Sequence, residues 1–153
     1  MCIRDRYFVD PCKFLLTTPG ISLETGEYEK FGVPATILAN YLRENGIIPE
    51  KCDLNSILFL LTPAETLTKM QTLVAQIALF EKHIKQDSLL KDVLPTVYKN
   101  NEDRYKGYTI RQLCQEMHDL YVSRKMCIRD RCRSERSSKR WYWFSLLCIP
   151  NHY

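Results

Sequence analysis

Cys114 and His118 are the two residues in this chain whose types and spacing suggest a metal site. They are four residues apart, so on a helix they lie one turn apart on the same face. Thiolate and imidazole both bind zinc, but a structural zinc site needs four ligands, and no other Cys or His of residues 7–125 lies near these two in sequence. We therefore interpret Cys114 as a core residue and His118 as a residue of a helix surface or interface, and we expect no metal.

Other patterns that carry chemistry are missing from the sequence. It contains no glycine-rich phosphate loop and no nucleophile elbow. Lys13 borders an apolar run and Lys51 follows a carboxylate, so both are most simply surface lysines. The cysteines of residues 7–125, at 12, 52 and 114, form no close pair. This favours a reducing compartment, and hence a cytoplasmic protein, over a disulfide framework.

Apolar runs and turn signals indicate the elements that would position these residues. Residues 13–18 form a short β-leaning run that Pro19-Gly20 stops, and residues 21–31 read as a loop. Pro34 suits the first position of a helix, because its missing N–H would be unpaired there. Gly46 fits the left-handed residue that closes this helix.

A second set of signals predicts another strand and a long helix. After an extended piece at 47–50, the continuous apolar run 56–61 predicts a strand buried on both faces. Thr62, followed by Pro63 and Glu65, forms a capping-box pattern. This pattern predicts a helix that starts there and runs to about residue 85. The apolar stripe of this helix comprises Leu67, Met70, Leu73, Val74, Ile77 and Ile84.

The last part of the body predicts a connector and one more helix. Residues 86–108 are polar and aromatic, and Thr109 with Gln112 forms a second capping-box pattern. The stripe of the last helix comprises Leu113, Met117, Leu120 and Tyr121. The order of elements describes an α/β unit in which helices pack on a small sheet. Such a pattern by itself assigns no activity.

The six-residue string MCIRDR occurs at residues 1–6 and again at 126–131. A structural repeat needs a unit of about 20–50 residues, so a charged hexapeptide has no architectural meaning. The string resembles the in-frame translation of a sequencing adapter. We expect residues 1–6 to be an adapter-derived scar and 126–153 to be a disordered or artefactual basic tail. The natural body would then run from about residue 7 to 125, as an internal piece of a longer protein.

The charge distribution follows the same division. The chain has 22 Lys+Arg and 18 Asp+Glu, a net charge of +4, and residues 125–140 alone hold seven basic and two acidic side chains. With Trp141 and Tyr142 behind it, this tail could bind RNA or single-stranded DNA through phosphates and stacked bases. Because the tail follows the repeated string, we favour an artefact and expect no nucleic-acid partner. The apolar stretch 141–150 is about half the length that spans a bilayer, so we expect no membrane partner.

Long consecutive blocks of the body resemble one protein family. The blocks are DPCK at 10–13, LLTTPG at 15–20, GVPATILANYLRENGIIPEK at 32–51, CDLNSILFLLTPAE at 52–65 and RQLCQEMHDLY at 111–121. They closely resemble the bacterial ornithine/lysine/arginine decarboxylases, pyridoxal-phosphate enzymes of the aspartate-aminotransferase fold type, and the fourth block is similar to the ornithine branch. The resemblance implies that residues 7–86 are the α+β small domain. Residues 87–125 would be a connector and the helix that opens the C-terminal region.

The resemblance also implies a reaction and its partners. The parent would convert L-ornithine to putrescine and CO₂, would use pyridoxal 5′-phosphate as an electron sink, and would form a homodimer or higher homo-oligomer. The family's cofactor-binding lysine follows a His, and no His-Lys pair occurs in this chain. The cofactor would therefore be bound by the missing large domain, with no catalytic residue here. We expect the chain alone to be inactive.

Glu50 is the one site residue that the resemblance assigns to this chain. It lies in the segment that, in the family, supplies an acidic group to the substrate's side-chain ammonium. By its pattern alone, Glu50 is an ordinary exposed carboxylate beside Lys51.

Two further interpretations remain open. The turn formed by Thr17, Thr18 and Gly20 is either a plain strand end, which we favour, or a border of the substrate pocket. The body could also be an interaction module without catalysis. Its apolar strand and stripes would then lack their cover in an isolated piece and cause self-association.

Overall fold

A computed structural model of the protein describes residues 12–22 and 25–124. Both copies of the repeated string and the basic tail at 126–153 lie outside the described residues, so the predictions for them stay predictions. Along the described chain the elements are β1 (Lys13–Thr17), α1 (Ala35–Glu44), β2 (Lys51–Cys52), β3 (Ser56–Leu60), α2 (Leu67–Lys85), α3 (Leu90–Val93), α4 (Pro95–Asn100), α5 (Glu102–Tyr105) and α6 (Ile110–Ser123). In this region no helix is long and apolar enough to cross a membrane.

The three strands form one antiparallel sheet in the order β1-β3-β2. Ile57 and Phe59 of the central strand are buried, whereas Leu58 is half-buried and Leu60 is exposed. The ring of Phe14 in β1 stacks on that of Phe59, with centroids 4.9 Å apart. The prediction that residues 56–61 are buried on both faces is therefore wrong, because an antiparallel sheet of this kind packs helices on one face and leaves the other open.

Helix α1 supplies the centre of the core. Its start differs slightly from the prediction, since Pro34 is the residue before the helix and not its first residue. Gly46 closes α1 as predicted, with φ of +77°, and the N–H of Ile47 donates to the carbonyl of Leu42 at 2.8 Å. The buried residues of α1 are Ala35, Ile37, Leu38, Ala39, Asn40, Tyr41 and Leu42.

Helix α2 ends where the sequence predicts but starts four residues later. Thr66 is its N-cap, and the Thr66 hydroxyl accepts from the N–H of Lys69 at 3.4 Å. Residues 62–65 form a separate turn, in which the N–H of Glu65 donates to the carbonyl of Thr62 at 2.9 Å. This turn uses the residues that suggested a capping box at Thr62, so that prediction is wrong.

The buried face of α2 is narrower than the predicted stripe. Leu73 and Phe80 are buried, whereas Leu67 is 75% exposed and Val74 is 65% exposed. The stripe prediction is therefore wrong for these last two residues, which point away from the core of the described part.

Residues 86–108 are not a simple polar connector. They contain the short helices α3, α4 and α5, and they contribute Leu90, Val93, Leu94, Val97 and Tyr105 to the core. These helices are too short to show a periodic apolar pattern, which is why the sequence suggested a connector.

The start of α6 confirms the second capping box. The Thr109 hydroxyl accepts from the N–H of Gln112 at 3.3 Å, and the Gln112 side-chain oxygen accepts from the N–H of Thr109 at 3.1 Å. The fold is thus a mixed α/β unit with a small three-stranded sheet and packed helices, as predicted.

Candidate functional site

Glu50 lies at the end of the connection between α1 and β2. Its backbone N–H donates to the carbonyl of Leu58 at 2.9 Å, so its main chain is held against the central strand. The preceding Pro49 is buried, while the Glu50 side chain is exposed and has no hydrogen bond or ion pair within the described residues. The structure thus holds a free carboxylate on a fixed backbone, an arrangement that can bind a cation.

The open face of the sheet carries the two lysines that the sequence singled out. Lys51 lies opposite Leu58, and Lys13 lies opposite Leu60. Both lysine side chains are exposed, which confirms that they are surface residues. Leu15 shares this face and is 60% exposed. We call Lys13, Leu15, Lys51, Leu58 and Leu60 the open sheet face.

Cys114 is fully buried, so its assignment to the core is confirmed. Burial raises the pKa of its thiol to about 12, because a thiolate would lose its hydration there. The thiol is therefore neutral at physiological pH and is a poor metal ligand. The described residues contain no group of three or more side chains that could hold a metal ion.

His118 does not lie on an exposed helix surface, so that alternative of the interpretation is wrong, and its place at an interface stays a prediction. Its side chain is buried, and its Nε2 lies 2.7 Å from the carbonyl oxygen of Glu29. A carbonyl only accepts, so Nε2 carries the proton and donates it. Nδ1 has no hydrogen-bond partner within the described part of the chain. In the fold, Gly20 and Gly32 make room for the ring, and no local sequence pattern links them to His118.

Two buried hydroxyls, on Tyr121 of α6 and Thr36 of α1, were missed by the sequence analysis. Burial raises the pKa of Tyr121, the neighbouring Thr36 hydroxyl lowers it in part, and nearby Cys52 and Asp53 raise it further. Neither hydroxyl makes a hydrogen bond of good geometry within the described residues. Tyr121 is therefore neutral at physiological pH. No short sequence pattern links two hydroxyls 85 residues apart.

The residues Thr17, Thr18 and Gly20 have the contacts of a strand end. Thr18 is buried, and its N–H donates to the carbonyl of Asn55 at 2.9 Å. Gly20 has φ of +122°, a conformation that other residues rarely adopt.

Comparison with known proteins identifies similar sequences. A family model described as "Orn/Lys/Arg decarboxylase, major domain" matches residues 2–69. An ornithine decarboxylase of Haemophilus influenzae is 94% identical over 122 residues, which cover 80% of this chain. The constitutive ornithine decarboxylase of Escherichia coli is 73% identical over 119 residues, and the inducible lysine decarboxylase of the same species is 33% identical over 118 residues. The chain spans 17% of the length of each of the two ornithine decarboxylases.

Solved structures show the same likeness. The constitutive lysine decarboxylase of E. coli superposes with a TM-score of 0.74 at 31% identity, over 77% of this chain and 16% of that one. Lysine decarboxylase A from Pseudomonas aeruginosa superposes with a TM-score of 0.70 at 37% identity, over 76% of this chain and 16% of that one.

Proposed function

Because this chain belongs to the Orn/Lys/Arg decarboxylase family, we propose that it is part of an ornithine decarboxylase that converts L-ornithine to putrescine and CO₂. One observation carries the choice of substrate. Four relatives named as ornithine decarboxylases are 65–94% identical to this chain, whereas relatives named as lysine decarboxylases are 33–38% identical. The activity belongs to the whole protein, of which this chain represents a small share.

We further propose that the parent uses pyridoxal phosphate and that this chain does not hold it. The sequence has no His-Lys pair, and Lys13 and Lys51 are exposed. The residues present do not fit the cofactor, so we assign its attachment to the rest of the parent.

We propose that residues 7–86 form the small domain and 87–125 the connector and opening helix of the C-terminal region. The family model that matches residues 2–69 is described as the major domain, so this small domain would be a part of what that model covers. Core residues from both segments, Leu42 and Leu90 among them, belong to one hydrophobic cluster, so the boundary at 86 is one of sequence and not a gap in packing. Within the described residues no disulfide joins Cys12, Cys52 and Cys114, which suits a cytoplasmic enzyme. We also propose that the parent protein is a homodimer or higher homo-oligomer.

Glu50 is the residue that we propose binds the side-chain ammonium of ornithine. The hydrogen bond between its backbone and Leu58 fixes where the side chain starts, and its carboxylate has no competing partner among the described residues. A hydrogen bond to a charged group contributes about 1.5–3 kcal/mol. The distance between this carboxylate and the cofactor would then select the length of the substrate.

The test is a Glu50→Gln substitution in the full-length decarboxylase. We expect kcat/KM for ornithine to fall about 10- to 100-fold, because the amide keeps the shape and removes the charge. Pyridoxal-phosphate content and the affinity for the cofactor should stay unchanged. Glu65→Gln is the matched control, since Glu65 is another exposed carboxylate and is paired with Lys69 at 3.2 Å. It should leave kcat/KM as it is.

Separate results would contradict the role of Glu50 and the choice of ornithine as substrate. If Glu50→Gln reduces cofactor affinity as much as ornithine use, Glu50 is structural and only its role is wrong. If the unaltered full-length protein releases CO₂ from lysine faster than from ornithine, the choice of substrate is wrong.

A further inference from the structure

The loop of residues 20–32 is closed at its base. The N–H of Val33 donates to the carbonyl of Pro19 at 2.8 Å, and the N–H of Glu29 donates to the carbonyl of Gly20 at 3.0 Å. A Cβ placed on Gly20 would lie 2.6 Å from the Cα of Gly32, so the two ends of the loop are in direct contact. The residues that begin and end the loop therefore lie side by side, and we call this place the neck of the loop.

One face of α6 contacts three consecutive residues of this loop, Glu29, Lys30 and Phe31. The guanidinium of Arg111 lies 5.4 Å from the centre of the Phe31 ring. The side-chain amide of Gln115 donates to the carbonyl of Lys30 at 3.0 Å. One helical turn further on, His118 donates to the carbonyl of Glu29 at 2.7 Å. We call Arg111, Gln115 and His118 the α6 clasp.

The His118 ring fills the space beside the two glycines at the neck. A Cβ on Gly32 would overlap the ring, with Cγ only 2.7 Å away, and a Cβ on Gly20 would lie 3.0 Å from Cε1. Both positions therefore need glycine while the ring is in place. Gly32 does not have a positive φ, and the three atoms nearest to a Cβ placed there all belong to the His118 ring. That makes Gly32 a clean probe of the ring.

We propose that the α6 clasp is a conformational lock that couples α6 to the loop of residues 20–32. Two of its three contacts are hydrogen bonds to main-chain carbonyls, so they hold the backbone at Glu29 and Lys30 whatever the side chains of these residues are. If α6 moves, the carbonyls of Glu29 and Lys30 lose these donors. The bond to Glu29 is partly buried and comes from a buried imidazole, so its loss is the less favourable of the two. Release of the loop should in turn remove one wall of the His118 pocket and loosen α6. This coupling is independent of the decarboxylase activity.

Hydrogen exchange in the full-length protein tests the coupling, because it reports local opening segment by segment. We expect His118→Ala to accelerate amide exchange about tenfold or more in the peptides covering 25–34 and 110–124. We expect Gly32→Ala to do the same in both peptides, although 110–124 is remote in sequence. In the His118→Ala background, Gly32→Ala should add nothing, because the overlap has gone.

Gly46→Ala is the matched control. Gly46 has φ of +77° but no neighbouring atoms within 4 Å of a Cβ, so its substitution strains the backbone without touching the clasp. It should accelerate exchange only around the end of α1. Its effect should multiply with that of His118→Ala in the double variant.

Three results would overturn the lock. The first is acceleration by Gly32→Ala that stays within 25–34, and the second is independent, multiplying effects of Gly32→Ala and His118→Ala. If Gly32→Ala and His118→Ala both fail to fold, Gln115→Ala decides the matter. It removes two exposed hydrogen bonds of the Gln115 amide, one to the carbonyl of Lys30 and one to the carboxylate of Asp119 within α6. We expect it to accelerate exchange about two- to tenfold in the peptide 25–34. Unchanged exchange there is the third overturning result.

Discussion

Cys114 illustrates how burial sets the chemistry of a single residue. Its thiol would be expected to lose its proton near pH 9.0 when exposed, and burial raises its pKa to about 12 in the fold. Between these values the folded state binds more protons than the unfolded state, so the stability from this residue is lost as the pH rises through this window. The loss is about 1.4 kcal/mol per pH unit.

This predicts a difference in thiol labelling within the full-length protein. Cys12 is exposed and should react with iodoacetamide in minutes, whereas Cys114 should stay unlabelled up to about pH 9 and react increasingly above it. Mass spectrometry of the cysteine peptides gives the rate at each pH. Labelling of Cys114 as fast as that of Cys12 at neutral pH would contradict its burial.

Glu50 and His118 show what residue types alone leave undecided. An exposed glutamate beside a lysine is ordinary, and its assignment rests on resemblance to a family, not on its pattern. His118 belongs to a cluster with Gly20 and Gly32, which are about 90 positions away in the chain. A contact of that range depends on how α6 packs, and no local pattern encodes it.

At the scale of elements, the position of the α2 cap gives a direct test. Thr66→Ala should destabilise α2 by about 1 kcal/mol, because the hydroxyl that accepts from Lys69 is removed. Thr62→Ala should change stability by less than about 0.5 kcal/mol, since its side chain is exposed and caps no helix. Hydrogen exchange in the first turn of α2 measures both. A larger effect at Thr62 than at Thr66 would place the cap where the sequence first suggested it.

The elements that the sequence predicts well are those with two agreeing local signals. The start of α6 combines Thr109 with Gln112, and the end of α1 combines an apolar helix with Gly46. Thr62 and Thr66 both precede the apolar run of α2, so local chemistry does not choose between them. Thr66 is the cap because residues 62–65 form a separate turn, closed by the hydrogen bond from Glu65 to Thr62. The periodicity of the helix does not reveal this turn.

Tertiary packing explains the remaining differences. The short helices between residues 90 and 105 bury apolar side chains although none is long enough to show a helical period. Likewise, a short apolar run such as 56–61 fits either a strand covered on both faces or a central antiparallel strand. The run is the central antiparallel strand because β1 and β2 pair on either side of it. This pairing joins residues distant in sequence, so the local pattern does not predict it.

For the whole molecule, exposed apolar surface predicts that this chain associates in solution. Leu15 and Leu60 are exposed on the open sheet face, and Leu67 and Val74 are exposed on α2. The chain spans 17% of the length of its H. influenzae relative, so residues absent from this piece are available to cover both surfaces in the parent. Exposed apolar patches in an isolated chain favour association.

We therefore expect the 153-residue chain to self-associate as its concentration rises, which sedimentation velocity would follow. Leu15→Ser combined with Leu60→Ser should shift the boundary towards the monomer, because both substitutions lie on the open sheet face. Val122→Ser is the control, since Val122 is exposed and belongs to α6, not to the sheet. If the doubly substituted chain associates as strongly as the original, the open sheet face is not the contact. Pairing through the edge strand β1 would then be the alternative. A chain that stays monomeric at every concentration would show instead that the fold is complete without its parent.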